Sequence, residues 1–188
     1  HEPEGRVKPF LTLQSVESVL GHIGAFPLLA TKSTPLDEAT GRFLANDFFA
    51  TEDLPGFDRS TVDGFALRAR DLFGAQEANP ALVECVADCH MGEVPTISLE
   101  EGQAARILTG GMLPQDADCV VMVEYSRPAG GGYIEVTRSQ APGDNVIFRD
   151  DDAAAGSLLL KAGHRLRPQD IGLLAAFGVV DVEVRRKP

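Results

Sequence analysis

Between Pro55 and Ala66 the chain reads Pro-Gly-Phe-Asp-Arg-Ser-Thr-Val-Asp-Gly-Phe-Ala. Asp58 and Asp63 enclose Arg59, Ser60 and Thr61, so two carboxylates, a guanidinium and two hydroxyls fall within six residues. Paired carboxylates can hold a hard cation such as Mg²⁺, move protons, or orient the hydroxyls and amines of a substrate. Five positions apart in a loop, the two share one ligand or point in opposite directions. Asp and Ser also brace turns through their own backbone, which is the competing reading. Gly56 and Gly64 bracket the run and are expected to turn sharply, because glycine accepts backbone angles that other residues resist.

Three further groups have chemical potential. Thr109-Gly110-Gly111 closes an apolar run, and exposed backbone N–H groups beside a hydroxyl form a nest for an anion or a plain turn. Glu124 follows Val-Val-Met-Val as a carboxylate at a strand end. Arg149 is followed by Asp150, Asp151 and Asp152, three adjacent carboxylates that repel one another unless solvated or bound to a cation. They lack the alternating spacing of a calcium loop.

These groups need elements to hold them. Val16, Val19, Leu20 and Ile23 have helical spacing and predict an amphipathic helix over 13–23, capped by Thr12 or Ser15 and ended by Gly24. Thr34-Pro35 before Asp37 and Glu38 predicts a short second helix, and Pro168 begins a third that runs to Phe177. The stretches 66–68, 82–87, 104–108, 119–124, 133–137, 146–148, 158–160 and 180–184 read as strands. Gly130-Gly131-Gly132 reads as a hairpin turn rather than a phosphate cradle, since no helix with Lys follows. The fold class is α+β and strand-rich, with a mostly-β domain at about 50–140 inserted into an outer helix-plus-strand domain at 1–49 and 141–188.

Composition narrows the function. The 188 residues are 44% hydrophobic, enough for a core, and the net charge of −11 argues against binding a phosphate backbone. Cys85, Cys89 and Cys119, an odd number, read as small buried hydrophobes rather than a disulfide framework or metal ligands. His1, His22, His90 and His164 lie in unrelated contexts, and the Cys89-His90 pair has nothing to complete a zinc set. No apolar run reaches about 18 residues and no signal peptide is visible, so the expected compartment is the cytoplasm. A first residue other than Met, with a strand running into Arg185-Arg186-Lys187-Pro188, reads as part of a longer protein.

The 55–66 loop resembles the Pro-x-Phe-Asp-Asn-Ser-Ala-Met-Asp-Gly-Tyr-Ala loop of the MoeA family, the molybdopterin molybdenumtransferases, which includes the gephyrin E domain. Arg106 to Pro114 is similar to its Arg-Ile-Met-Thr-Gly-Ala-x-x-Pro, and Ala117 to Glu124 to its Ala-Asp-Ala-Val-Val-x-x-Glu. Gly143 to Val146, Asp151-Asp152, Ala155-Gly156, Ala162-Gly163 and Arg165-Leu166 resemble the segment that closes its second domain. The resemblance implies the first two domains of the family, without the molybdopterin-binding α/β domain that follows. It implies insertion of molybdate into adenylylated molybdopterin with release of AMP, in the cytoplasm, by a homodimer whose cleft draws on that further domain of the partner. Alone, this chain would supply one wall of the site.

By the same resemblance Asp63, Thr109 and Asp152 belong to the active site, with Mg²⁺ at Asp63 and Asp152. Asp58, Arg59, Ser60, Glu124, Arg149 and Asp151 line the substrate side. The family motif Arg-Arg-Arg-Gly-Glu-Asp is altered to Ile147-Phe148-Arg149-Asp150-Asp151-Asp152, and Arg59 stands where the motif has Asn. Two cations are lost there, and Arg59 adds one beside the carboxylates. The alternatives are a gephyrin-like protein-binding scaffold and a non-catalytic module for a metal or small anion.

Overall fold

The computed structural model describes residues 13–187, so the Thr12 cap, His1 and Pro188 lie outside the described residues. In chain order the elements are α1 Val16–Gly21, β1 Thr31–Pro35, β2 Phe48–Phe49, β3 Arg59–Ser60, β4 Gly64–Leu67, β5 Ala81–Cys89, β6 Gln103–Ile107, β7 Cys119–Met122, β8 Ser126–Gly130, β9 Tyr133–Val136, β10 Val146–Ile147, β11 Leu158–Leu160, α2 Pro168–Ala176 and β12 Asp181–Arg185. They divide into two compact units, residues 1–46 with 162–188, and residues 47–161. The boundaries fall at 46/47 and 161/162 rather than at 49/50 and 140/141. The physical reason is strand pairing. β10 pairs with β3 and β11 with β2, which ties 141–161 to the second unit.

In the first unit β1 and β12 pair antiparallel from Thr31↔Arg185 to Pro35↔Asp181. Val182 and Val184 turn inward from β12, as their alternation predicts. The ladder claims Thr34 and Pro35, so the second helix shrinks to a 3₁₀ turn at Leu36–Glu38. α1 starts where the Ser15 hydroxyl accepts the Ser18 N–H (3.1 Å), and it is shorter than the spacing predicts. Its apolar stripe is uncovered among the described residues, with Val16 69% and Leu20 57% exposed. α2 has Pro168 in its first turn and buries Leu174. The Asp170 carboxylate accepts the Arg167 backbone N–H, half of a capping box. It also takes the Arg167 guanidinium and the His164 ring, and with Arg167 bonded to it the Asp170 carboxyl lies well below the usual carboxylate range.

The second unit is built on a six-stranded mixed sheet of order β7-β4-β6-β5-β9-β8, in which only β5 and β6 run parallel. Phe65, Leu67, Cys119 and Val121 face one apolar cluster, while Ala66, Ala105, Ile107 and Val120 face another. Burial on both faces explains why β4 and β7 read as unbroken apolar runs. Gly131 and Gly132, at φ +65° and +88°, make the two-residue turn of the β8–β9 hairpin. Cys85, Cys89 and Cys119 are unbridged. Burial and neighbouring Asp118 push the Cys119 thiol up to about 12, so it is an inert core group.

Candidate functional site

The 53–64 segment of the second unit crosses the ends of several strands and is bonded to each. Ser60 N–H donates to the Gly111 carbonyl (3.0 Å) and Gly110 N–H returns to the Ser60 carbonyl (2.7 Å). Leu113 N–H reaches the Asp58 carbonyl, and Val123 N–H the Asp63 carbonyl, each at 3.0 Å. On the other side β3 pairs with β10, and the N–H groups of Asp150 and Asp152 donate to the Pro55 and Leu54 carbonyls. One segment therefore collects the 109–113 turn, the 123–125 turn and the 146–153 loop, which lie far apart in sequence.

Gly64 earns its place by close approach rather than by turning. Its φ is not positive, and a Cβ there would lie 1.8 Å from the Val121 carbonyl oxygen. Gly56 shows neither a positive φ nor crowding, with its nearest atom 3.8 Å away. The expectation of two sharp glycine turns is corrected on both counts. Gly110, at φ +82°, does need glycine in the 109–111 turn.

The two carboxylates of the loop go to different partners. Asp63 Oδ1 accepts both the backbone N–H and the hydroxyl of Thr109, each at 2.7 Å. Those two bonds, the backbone one foremost, hold the Asp63 carboxyl below its usual range. Asp63 is therefore ionised at neutral pH, suited to orient a donor or bind a cation and poorly suited to proton transfer. Both bonds fall on Oδ1, so Oδ2 of this solvent-exposed residue has no hydrogen-bond donor among the described residues.

Asp58 Oδ1 accepts the Arg149 backbone N–H (2.7 Å), which fixes the 147–152 loop. Asp53, which sequence reasoning missed, takes the Arg149 guanidinium on Oδ2 and the Ala155 N–H on Oδ1. The Ala155 bond, then Arg149, lowers its carboxyl. Only an acidic residue ahead of Pro55 hinted at it, because its partner lies 96 positions on.

Of the remaining candidates, Asp151 accepts the Phe148 N–H (2.7 Å) and Asp152 is exposed. Glu124 is exposed on the 3₁₀ turn Val123–Tyr125, beside the Asp63 backbone. Ser60 is buried, its hydroxyl donating to the Val62 carbonyl (2.6 Å) and accepting the Val62 N–H. Asp150 sits at φ +66°, the left-handed region, at the position where the family motif carries glycine. Arg59 is half-buried with an unpartnered Nε.

The donors suit a hard cation only in part. Among the described residues no group of three or more His, Cys, Asp or Glu side chains could enclose a metal. Mg²⁺ does not need such a cage, since it is bound through one or two carboxylates plus water and substrate phosphates. The exposed, ionised Asp63 carboxylate has the donor chemistry for that sparser role.

A two-unit α+β protein whose inserted β unit presents carboxylates and a Thr-Gly turn on one segment is the class this geometry defines. The profile of the MoeA N-terminal region, domains I and II, matches residues 12–178, and the chain belongs to the MoeA family. A molybdopterin molybdenumtransferase of Bacillus subtilis strain 168 is 40% identical over 161 residues, covering 84% of this chain and 37% of that protein. One from Nostoc is 36% identical over 158 residues, covering 84% of this chain and 36% of that protein. The crystal structure of a molybdopterin biosynthesis MoeA protein from Pyrococcus horikosii superposes with a TM-score of 0.80 at 37% identity, covering 94% of this chain and 45% of that one. The chain thus spans less than half the length of each of these relatives.

Proposed function

We propose that this chain is the N-terminal portion of a molybdopterin molybdenumtransferase, acting in molybdenum cofactor biosynthesis on adenylylated molybdopterin and molybdate with release of AMP. The observation that carries the reading is the Asp63–Thr109 pair, an ionised carboxylate fixed by a Thr-Gly turn in a protein of this family. Asp63 and Thr109 orient the ligand, and Asp152 joins from the loop that Asp58 and Asp53 hold through Arg149. Asp151, Arg149 and Glu124 border the same segment. Mg²⁺, held by Asp63 and Asp152, would supply positive charge against phosphate oxygens. Catalysis on this reading is positioning and electrostatics.

The uncovered apolar residues Val16, Val19, Leu20, Ile23, Phe26 and Leu28 support pairing with a second copy. Three free thiols suit a reducing cytoplasm. The test is molybdate-dependent AMP release from adenylylated molybdopterin by the full gene product, wild type against Asp63→Ala. Release that requires molybdate and collapses in the variant supports the reading, and unchanged turnover sinks it.

A further inference from the structure

Arg59 differs from every charged neighbour on the segment. Asp53, Asp58, Asp63 and Asp151 each accept a hydrogen bond, and Arg149 donates from both main chain and side chain. Arg59 is half-buried, its Nε is sealed from water without a hydrogen-bond partner, and among the described residues it joins no ion pair. A buried donor left unmade costs the desolvation of that group, more so when it is charged. The chain has a net charge of −11, with a carboxylate next to Arg59 in sequence at Asp58 and others at Asp150, Asp151 and Asp152 on the loop that follows its strand partner β10. A guanidinium unpaired in such company marks an acceptor that the folded chain does not itself supply.

The strand register says what Arg59 replaces. Arg59 lies directly opposite Ile147 in the β3–β10 pair, with Met112 bridging its other side. Opposed residues of an antiparallel pair project to the same face with Cβ atoms about 4.5–5.5 Å apart. Position 147 is where the family motif carries its first arginine, and position 59 is where it carries Asn. In this chain position 147 is Ile and position 59 is Arg, so a cation stands one strand across from the place where the motif has one.

We propose that Arg59 is the anion-binding residue of this site, substituting across the β3–β10 ladder for the missing arginine at position 147, and that its ligand is a phosphoryl group of the substrate. A guanidinium presents a rigid planar fork that matches phosphate oxygens in pairs, so a phosphate supplies the acceptor that Arg59 lacks. The identity of the substrate rests on the molybdenumtransferase reading. The binding of a phosphate by Arg59 does not.

The test is calorimetric titration of AMP, with adenosine as the phosphate-free control, into the full gene product at fixed ionic strength. Wild type is compared with Arg59→Asn, Arg59→Lys and the double variant Arg59→Asn/Ile147→Arg. Arg59→Asn should weaken AMP about ten-fold or more and leave adenosine unchanged, while the double variant recovers to within about three-fold of wild type. Arg59→Lys should fall between, since it keeps the charge and loses the fork. Thermal melts should show Arg59→Asn folded and no less stable. AMP binding unaltered in Arg59→Asn overturns the proposal, as does a double variant that stays as weak as the single one. Should wild type bind AMP through Arg59 yet release none from adenylylated molybdopterin, the transferase reading falls and this one stands.

Discussion

Replacing Gly64 with alanine tests whether close strand packing, and not loop flexibility, holds the site together. The new Cβ would lie 1.8 Å from the Val121 carbonyl oxygen, 2.8 Å from its carbon and 3.1 Å from Met122 Cα. An ordinary C···O contact is about 3.3 Å, so β4 and β7 would have to part by about 1.5 Å. Both neighbours are backbone, and no rotamer change relieves them. The β4–β7 ladder pairs Gly64 with Met122 and Phe65 with Val121, and the Val123 N–H bond to the Asp63 carbonyl lies next to it. Overpacking of this kind costs about 1–3 kcal/mol, and one or two ladder bonds lost add about 1 kcal/mol each, giving about 2–5 kcal/mol in all.

The control is Gly56→Ala at the other end of the same loop, where the nearest atom is 3.8 Å away and φ is not positive. That change should be neutral or stabilise by about 0.5 kcal/mol through the unfolded chain. With no Trp in the sequence, urea unfolding is followed by circular dichroism, fitting the transition that responds to changes within residues 47–161. Gly64→Ala within about 0.5 kcal/mol of Gly56→Ala would refute the reasoning, since the overlap would then be relieved at no cost.

Three more outcomes follow from the geometry. Asp150 stands at φ +66°, so Asp150→Val should lose about 1–3 kcal/mol while Asp150→Gly stays within about 1 kcal/mol of wild type, both read by chemical unfolding. The Asp170 carboxyl is depressed in the folded state, so its contribution is full above the unfolded value near 3.9 and fades as pH falls below it. Thermal melts from neutral to acid pH should therefore drop less steeply below about pH 4 for Asp170→Asn than for wild type, from a lower starting stability. Thr109→Val removes one of the two bonds on Asp63 Oδ1 and keeps the backbone one, so the Asp63 titration midpoint, read by carboxylate NMR shifts, should rise while remaining below the usual value.

Much of the sheet was legible because its strands are apolar runs. Cys119-Val120-Val121-Met122 announces itself by composition and Ala66-Leu67 in part, two residues short of where β4 begins, and α2 is marked by Pro168 and the spacing of Ile171, Leu174 and Ala175. β1 and β8 were not, since Thr-Lys-Ser-Thr-Pro and Ser-Arg-Pro-Ala-Gly carry no such signal. They are strands because partners at β12 and β9 offer them ladders, which is tertiary information. The site divides the same way. Asp58, Asp63 and Thr109 stand out as residue types in a short motif. The bond between Asp63 and Thr109, and the fastening of Arg149 by Asp53, join residues 46 and 96 positions apart. Local spacing has no access to either.

The insertion also sets an order of events during synthesis. β1 finds its partner only when β12 emerges, with Pro35 pairing to Asp181. At about 5–20 residues per second the ribosome takes roughly 7–30 s to cover that gap. The second unit is complete once Lys161 has left the ribosome, ahead of Asp181–Arg185, so it can fold while Thr31–Pro35 still has no ladder to join. The part translated in the middle is finished before the part translated first, and the nascent chain must carry an unpaired β1 past it. A chain ended at Lys161 and tethered to a stalled ribosome by an unstructured linker long enough to span the exit tunnel should therefore display a protease-resistant 47–161 core on a cleavable N-terminal arm.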